Sequence, residues 1–410
     1  MNKRLALLFG CSLVLAVPLL SCGGNQMNAA EPTPAPPSTA VPTLNRTVVM
    51  SGLQGGWDFA FAPDGQTILF TERCRGLSVR LANGSVVRLF GTAGSNLVAA
   101  DLWCEGQSGT NGVAIDPDFA HNRFVYVYMA SNLSSPRTNR VIRLTMSADM
   151  MSVGARNDIV TNIPYKNAAN GVGGPGLHSG GRIRFGPDGF LYITTGDNHN
   201  PSLPQDLTRL GGKVLRVDRT GAAAPGNNTP AGGDPRIFTY GHRNVQGISF
   251  RPGTGQPFAS EHGPNHSDEV TLLVPGGNGG WDPQNRPGLV CPDNYCGYAG
   301  DPTTMPMTDT TRFPNAMRPS WNNDAMSQGT GPSTFLDGSQ WKTWNGRLAV
   351  GIMGAHRLAI LQLDASGMAI ATTDASGIPS DRYRSLVLGP DGNLYILAET
   401  AGEIWRITPG

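Results

Sequence analysis

The sequence predicts an all-β fold, a six-bladed β-propeller of four-stranded antiparallel blades with long inter-blade loops. One observation is compositional: the 410 residues include 54 glycines and 32 prolines, which interrupt helices and favour turns. The second is a short turn pattern that recurs six times between β-rich segments. Such a repeat is typical of propeller blades, because a single small sheet cannot bury its faces and must stack on neighbours.

Each copy of the repeat is an apolar residue, then Pro, Asp or Gly in a tight turn, then an apolar run. Pro presets φ, Asp caps the turn and Gly accepts positive φ. A clear copy is Phe185–Gly189 (FGPDG), and a second strand pattern such as Val214–Val217 (VLRV) follows most copies. The six copies begin at Phe61, Ile115, Phe185, Phe250, Phe335 and Leu388. The alternative is a β-sandwich array with coincidental turns.

The first 46 residues are expected to lie outside the propeller. Basic Lys3 and Arg4 precede an apolar stretch that ends in Leu-Leu-Ser-Cys at Cys22, which resembles the lipobox of bacterial lipoproteins. We therefore expect a lipoprotein signal peptide at 1–21 and lipidated Cys22 at the start of a Pro-rich tether, 22–46. The chain would then be exported and held at the bacterial cell envelope by its lipid anchor alone. An ordinary secretory signal with an incidental Cys22 is the alternative.

The remaining residues, 47–410, are assigned to the propeller as one domain. The segment at 47–49 (TVV) is expected to pair with the last blade and close the ring. Export also bears on the four cysteines of this domain, because an even number in an oxidising compartment indicates disulfides. We expect Cys291 to pair with Cys296 across a small loop, which leaves Cys74 to pair with Cys104. A zinc site is the alternative, although no C-x-x-C pair occurs.

Two classes of function are disfavoured by the residues themselves. The net charge of +1 argues against nucleic acid, whose phosphates call for a clustered basic surface. A G-x-G-x-x-G match runs from Gly171 to Gly176, but a strand is expected after it in place of the helix that a dinucleotide site needs.

Histidines concentrate in the middle of the chain, in or beside three segments rich in small residues. These segments are 173–182, 240–247 and 261–269. Each lies at the entry to or exit from a repeat strand, and loops on a rigid scaffold commonly carry function. Glycine lets a ligand approach the backbone closely, and exposed carbonyl oxygens suit a hard cation such as Ca²⁺.

Together these segments resemble the soluble, PQQ-dependent aldose sugar dehydrogenases of the glucose/sorbosone dehydrogenase family (PQQ is pyrroloquinoline quinone). The likeness rests on His178 before a Gly-Gly-Arg strand, on Gly241–Gly247 (GHRNVQG) and on Glu261–Glu269 (EHGPNHSDE). Further matches lie at 106–119, 212–216 and 382–384, so the likeness covers roughly 50–410. That family is itself a six-bladed propeller, in agreement with the repeat.

The resemblance implies that PQQ and Ca²⁺ are bound and that an aldose is oxidised at C1 to a lactone. His178 would be the general base for the anomeric hydroxyl, Arg243 would stabilise charge on the quinone, and Gln107 would hydrogen-bond the sugar. The carbonyls of Gly263 and Pro264 would bind the Ca²⁺ that polarises the quinone. The resemblance also implies that Glu269 binds a second, structural Ca²⁺. Contact with the cofactor is implied for Asn244, His262, Asp268, Arg382 and Arg384.

The same residues permit other interpretations. His178 would otherwise cap a turn, and Arg243 would pair with a neighbouring carboxylate. Arg382 and Arg384 alternate on a strand and so share a face, which suits a common anionic ligand or a solvated edge. Two other functions remain open: a Ca²⁺-dependent propeller lactonase in which His178 activates water, and a surface sugar-binding module without catalysis.

The sequence also departs from the family pattern. Gly354 stands where a PQQ-binding Lys is usual, and we expect His356 or Arg357 to supply the missing cation. The stretch 281–320, with its two cysteines, is expected to be an additional loop-rich excursion that alters substrate access. The preferred sugar and the electron acceptor are not readable from these motifs.

Overall fold

The six copies of the turn pattern each lie between the first and second strands of a separate sheet. This is seen in a computed structural model that describes residues 39–168, 173–297, 305–323 and 325–410. The predicted signal peptide, Cys22 and the tether as far as residue 38 fall outside the described residues. Within them, six small sheets form an all-β, six-bladed propeller, as the repeat predicted.

The chain enters the fold through β1 (Leu44–Met50) and then builds the blades in order. Blade 1 contains β2 (Gly56–Phe61), β3 (Ile68–Glu72), β4 (Gly76–Arg80), β5 (Val86–Gly91) and β6 (Leu97–Val98). Blade 2 contains β7 (Thr110–Ile115), β8 (Phe124–Ser131), β9 (Thr138–Met146) and β10 (Val153–Pro164). Blade 3 contains β11 (Ile183–Phe185), β12 (Leu191–Thr194), β13 (Lys213–Val217) and β14 (Ile237–Tyr240).

The second half of the ring follows the same plan. Blade 4 begins with β15 (Val245–Phe250), β16 (Pro257–Glu261) and β17 (Glu269–Leu272); β18 (Gly277–Asn278) then joins blade 3, and β19 (Trp321–Asn322) completes blade 4. Blade 5 contains β20 (Thr330–Phe335), β21 (Leu348–Ile352), β22 (Arg357–Leu363) and β23 (Ala369–Asp374). Blade 6 contains β24 (Tyr383–Leu388), β25 (Leu394–Ala398) and β26 (Glu403–Pro409). Short helical turns occur at Phe119–Asn122, Pro292–Asn294 and Ser339–Trp344.

The ring is closed by the two ends of the described chain. Strand β1 pairs antiparallel with β26, with Leu44 opposite Pro409 and Val48 opposite Trp405. The predicted closing strand is therefore present. It begins at Leu44, so the last three residues of the range predicted as tether are part of the sheet, because their backbones are hydrogen-bonded to the last blade.

Two blades have five strands where four were expected. In blade 1 the two-residue strand β6 pairs parallel with β5, and in blade 3 β18 pairs parallel with β14. Strand β6 comes from the connection between blades 1 and 2, whereas β18 comes from the connection between the third and fourth strands of blade 4. Neither connection carries the repeat, which is why the repeat did not predict them.

The turn chemistry of the repeat is visible in the structure. Asp64 Oδ1 accepts hydrogen bonds from the backbone N–H groups of Gln66 (3.0 Å) and Thr67 (2.8 Å), which caps the turn. The glycine after it has φ +71°, a value that favours glycine because a Cβ is strained there. In blade 1 these local interactions reverse the chain, so that β3 pairs antiparallel with β2.

Among the described residues, seven apolar clusters form the core. One lies around Trp281 within the stretch 281–320, and each of the other six lies between two adjacent blades. One example joins Val79 of blade 1 to Val127 of blade 2, and another joins Trp405 of blade 6 to Ile360 of blade 5. The sheets thus bury apolar side chains on both faces, which accounts for their continuous apolar runs. Trp405 is only 2% exposed.

Both predicted disulfides form, with Cα–Cα distances of 5.2 Å for Cys74–Cys104 and 5.1 Å for Cys291–Cys296. Among the residues described, no helix has the length and apolar character needed to cross a membrane.

Candidate active site

A polar cavity of about 240 Å³ lies where the innermost strands of the blades begin. In an antiparallel sheet the start of the first strand and the end of the second lie at the same end, so residues distant in sequence meet there. The lining includes Trp57, Arg73, Gln107, Gln246, Arg382, Arg384 and Glu399. They come from four different blades or from the loops that enter them.

Three guanidinium groups and one carboxylate line this cavity, so its net formal charge is +2. As predicted from their alternation, Arg382 and Arg384 share a face, and their Nε groups donate to Glu399 Oε2 at 3.0 Å and 2.8 Å. Burial lowers the pKa of Arg384. Glu399 acts to raise this pKa, and the neighbouring Arg382 acts to lower it. An additional anion in the cavity would relieve this repulsion.

Arg73 is the third guanidinium, and the motifs did not identify it. It follows β3, next to the Cys74–Cys104 disulfide, and its Nη1 donates to the carbonyl of Gly106. Among the described residues it forms no ion pair. The disulfide and this hydrogen bond hold Arg73 against the loop that carries Gln107.

Neither His356 nor Arg357, the cations expected to compensate for Gly354, lines this cavity. A Cβ built at Gly354 would lie 2.5 Å from the carbonyl oxygen of Gln328, so the backbone there leaves no room for a side chain. His356 is exposed, and Arg357 donates to Asp374 and to Gln328 Oε1. The additional positive charge of the cavity comes instead from Arg73, on another blade.

A buried ion-pair network lies next to the cavity. The fully buried carboxylate of Asp58 contacts Arg182 at 2.5 Å and Arg184 at 2.7 Å. Burial alone would raise the pKa of Asp58, but the two guanidinium groups hold it below its usual value. Arg182 also stacks over the Trp57 ring at 4.2 Å. The network joins blades 1 and 3 and contacts the cavity through Trp57.

His178 lies at the rim of the cavity, and its backbone N–H donates to Gln107 Oε1 at 3.3 Å. Its Nδ1 is 2.7 Å from Asp197 Oδ1, and its backbone has φ +50°, which is uncommon for a residue with a side chain. A Cβ on Gly196 would lie 1.9 Å from the His178 carbonyl oxygen. Only glycine at 196 therefore permits this close approach.

The surroundings of His178 keep its imidazole neutral. Burial, followed by the nearby positive charge of Arg243, lowers its pKa well below the ordinary 6.5. A neutral imidazole beside a carboxylate carries its proton on the nitrogen facing that carboxylate. Nδ1–H therefore donates to Asp197 and Nε2 keeps a lone pair, the arrangement that a general base requires.

Asp197, which the motifs also missed, is held by the excursion at 281–320. Its Oδ2 accepts hydrogen bonds from Trp281 Nε1 at 2.9 Å and from Tyr295 Oη at 2.6 Å. Tyr295 directly precedes Cys296 of the small disulfide loop. An effect of this excursion on substrate access stays a prediction; its described residues support the carboxylate that orients His178.

Arg243 and Asn244 lie beside this histidine. Arg243 Nη2 donates to the Gly297 carbonyl at 3.0 Å, while its buried Nε has no partner among the described residues. The side-chain oxygen of Asn244 accepts from the backbone N–H of Gly180 at 3.1 Å. Arg243 thus retains an unused donor, and Asn244 fixes the loop that follows His178.

Asp268 holds the backbone around the 263–268 turn, and its contact with a cofactor stays a prediction. One of its oxygens accepts from the Gly263 N–H at 2.9 Å, and the other from the N–H groups of Gln328 (2.8 Å) and Thr330 (3.0 Å). Because both oxygens are occupied, this carboxylate positions the 263–268 turn. His262, before the turn, has Nδ1 2.5 Å from the Thr330 carbonyl, and burial lowers its pKa to about 4.

Gly263, Pro264 and Glu269 are the residues with candidate metal-binding oxygens. Gly263 and Pro264 are buried, and no described hydrogen bond is made to their carbonyl oxygens. Glu269 is 4% exposed, and both of its oxygens accept from Thr308 Oγ1, at 3.0 Å and 2.9 Å. Burial and the adjacent Glu261 raise its pKa well above the usual value. The part of the chain described here contains no cluster of three or more His, Cys, Asp or Glu suited to a metal.

Known proteins are similar to this chain in both sequence and fold. Residues 53–406 match the Glucose / Sorbosone dehydrogenase family. Aldose sugar dehydrogenase YliI of Escherichia coli strain K12 is 27% identical over 376 residues, which cover 90% of this chain and 93% of that protein. Quinoprotein glucose dehydrogenase B of Acinetobacter calcoaceticus is 30% identical over 314 residues, covering 68% of this chain and 60% of that protein.

A solved structure also has the same fold. The PQQ-bound form of aldose sugar dehydrogenase from Streptomyces coelicolor superposes with a TM-score of 0.66 at 24% identity, covering 90% of this chain and all of that one (100%). The family match, however, extends over far more than half of the sequence. The chain therefore belongs to the glucose/sorbosone dehydrogenase family.

Proposed function

We propose that this protein oxidises aldose sugars at C1 with PQQ as the electron acceptor, and that Ca²⁺ is required. The observation that carries the proposal is the cavity with three guanidinium groups beside a neutral, carboxylate-oriented histidine. The named activities of the relatives, an aldose sugar dehydrogenase and a quinoprotein glucose dehydrogenase, support it.

The residues present fit PQQ, a planar quinone with three carboxylates. Arg73, Arg382 and Arg384 would hold carboxylates, because guanidinium remains charged and binds carboxylate in a bidentate manner. Arg243 has a buried Nε–H without a partner among the described residues. Such a donor is costly unless a ligand uses it, and a quinone oxygen would satisfy it.

The fit for Ca²⁺ rests on oxygen donors. The carbonyls of Gly263 and Pro264 are held by the turn that Asp268 organises, and carbonyl oxygen is a preferred Ca²⁺ ligand. A second cation beside Glu269 would stabilise its carboxylate against the burial and the like charge that now oppose ionisation. These are the residues that would hold the two ions.

When bound, PQQ supplies a two-electron acceptor for the hydride that leaves the sugar C1. His178 Nε2 accepts the proton of the anomeric hydroxyl, so the sugar loses a hydride and a proton and becomes a lactone. Asp197 stabilises the resulting imidazolium through its hydrogen bond to Nδ1–H. Gln107, which contacts the His178 backbone and lines the cavity, orients the sugar. Arg243 is placed to stabilise negative charge on the acceptor.

The test is to prepare the protein without cofactor, add PQQ and Ca²⁺, and follow dye reduction with a panel of aldoses. Activity that depends on PQQ and is lost in His178→Ala supports the proposal. Lactone or ester hydrolysis without PQQ would instead indicate the hydrolase. Sugar binding without either reaction would indicate a binding module.

We also propose that the chain is exported and anchored through lipidated Cys22. The lipobox-like sequence supports this, as do two disulfides, which persist in oxidising compartments. Multiple acyl chains give stable anchoring. Cys22→Ser is expected to move the protein from the membrane fraction to the soluble fraction of the producing bacterium; an unchanged distribution would contradict the anchor.

A further inference from the structure

A hydrogen-bonded chain beside His178 has no role in the proposed function. The Nε2 atoms of His199 and His178 are 2.9 Å apart, and His199 Nδ1 is 3.0 Å from Lys166 Nζ. The two imidazole rings pack edge to face with centroids 3.8 Å apart. All three side chains belong to buried residues, 5–7% exposed, so these contacts are not chance encounters of mobile surface groups.

The proton positions in this chain follow from the chemistry of its ends. An ammonium group has no lone pair, so Lys166 donates to His199 Nδ1. A neutral His199 then carries its proton on Nε2 and donates it to His178 Nε2. His178 in turn donates from Nδ1 to Asp197. Each of these hydrogen bonds then has one donor and one acceptor, but the lone pair of His178 that must accept the sugar proton is already in use.

The structure also contains a space into which His199 can withdraw. A cavity of about 280 Å³ is lined by Lys166, His199, Asn200, Leu203 and Arg209, among others. It shares no lining residue with the cavity that contains the guanidinium groups. A rotation of the His199 side chain into this space would free His178 Nε2 without moving the backbone.

We propose that His199, backed by Lys166, is a positioning residue that caps Nε2 of His178 in the sugar-free protein and withdraws into this cavity when the sugar hydroxyl replaces it. The identity of the replacing group rests on the proposed function. Before sugar arrives, the donated hydrogen bond holds His178 in the tautomer needed for catalysis. It also favours the neutral imidazole, because a hydrogen bond to the neutral form opposes protonation.

Several charged or titratable groups face His178 and set its protonation together. They are Asp197, His199, Lys166, Arg243 and His262. Asp197 favours the imidazolium, whereas Lys166, Arg243 and a protonated His262 oppose it. Loss of the His199 hydrogen bond is therefore expected to raise the pKa of His178 while the other groups stay in place.

The first test uses NMR of the cofactor-free protein with isotopically labelled histidine. His178→Ala assigns the His178 signals. His199→Leu removes the donor, His199→Gln keeps an N–H donor, and His121→Leu, at an exposed histidine on blade 2, is the control. We expect His199→Leu to raise the pKa of His178 by about one pH unit or more, equivalent to about 1.4 kcal/mol. His199→Gln and His121→Leu should remain close to wild type.

Two NMR results would overturn the proposal. One is an unchanged tautomer and pKa of His178 in His199→Leu. The other is a His199→Gln variant that behaves like His199→Leu, which would assign the effect to solvation of the emptied volume.

The second test measures KM for an aldose with the PQQ-loaded protein, well above the acid limb of the profile. In His199→Leu the sugar does not have to break the hydrogen bond between His199 and His178. KM is therefore expected to fall about five-fold, the factor for about 1 kcal/mol. A KM equal to or above that of the wild type contradicts displacement. If the wild type oxidises no aldose at all, the proposed function fails, and the NMR result alone then decides the role of His199.

Discussion

Replacement of Arg73 by Met tests whether the cavity is built for an anionic ligand. Arg73 forms no ion pair among the described residues, and its side chain donates to the Gly106 carbonyl. Its removal therefore leaves no buried carboxylate without a partner, and Met retains much of the aliphatic stem. A hydrogen bond to a charged group contributes about 1.5–3 kcal/mol. The Kd for PQQ is thus expected to rise about 10- to 150-fold.

The assay is calorimetric titration of the cofactor-free protein with PQQ in the presence of Ca²⁺. Arg73→Lys keeps the charge but loses the planar fork, so its affinity should be intermediate. The matched control is Arg75→Met, because Arg75 lies two residues away, pairs with Glu72 at 3.5 Å and does not line the cavity. An Arg73→Met variant that melts like the wild type and binds PQQ within about two-fold of it would refute the reasoning.

Three further predictions concern His178 and its supports. Asp197→Asn is expected to lower kcat by about 10²- to 10⁴-fold. The amide disturbs the hydrogen bonds donated by Trp281 and Tyr295, and it removes the negative charge opposite the imidazolium. A kcat close to wild type in steady-state dye reduction would argue against this role. The kcat/KM profile should stay flat as pH falls through 6.5, because burial keeps the pKa of His178 low and the neutral base persists; an acid limb at or above 6.5 would contradict this. Gly196→Ala should lower the free energy of unfolding by about 1–3 kcal/mol, measured in urea. Gly154→Ala is the control and should be nearly neutral, because the space around its Cβ position is open. Equal effects of the two substitutions would contradict the importance of the close contact between Gly196 and His178.

The fold was predictable because a related turn pattern follows the first strand of each blade. A complete turn such as Phe185–Gly189 is encoded within five residues, by the φ of Pro, the capping of Asp and the positive φ of Gly. A complete or degraded copy lies between the first and second strands of each blade, and the copy at Phe335, for example, has no Pro. The fifth strands of blades 1 and 3 were missed because two-residue pairings such as Gly277–Asn278 depend on how a long connection folds back. No local sequence pattern encodes the position at which such a connection pairs with the edge of a sheet.

The site was predictable only in part, for a related reason. His178, Arg243, Arg382 and Arg384 lie in recognisable segments, and the structure brings them to one end of the ring. Arg73 had a signal that was not used: it follows the second strand of its blade, and second strands end where first strands begin.

Asp197 and His199 follow β12 and had the same signal. Lys166 and Tyr295, by contrast, reach the site from long connections. Their contacts arise from tertiary folding alone, so no spacing rule could have selected them.

The most direct test of the whole account is a crystal structure of the protein soaked with PQQ and Ca²⁺. We expect density for the quinone in the cavity, with carboxylates on Arg73, Arg382 and Arg384 and with His178 Nε2 facing its ring. An empty cavity, or PQQ bound elsewhere while these three arginines keep only their present partners, would contradict the central claim.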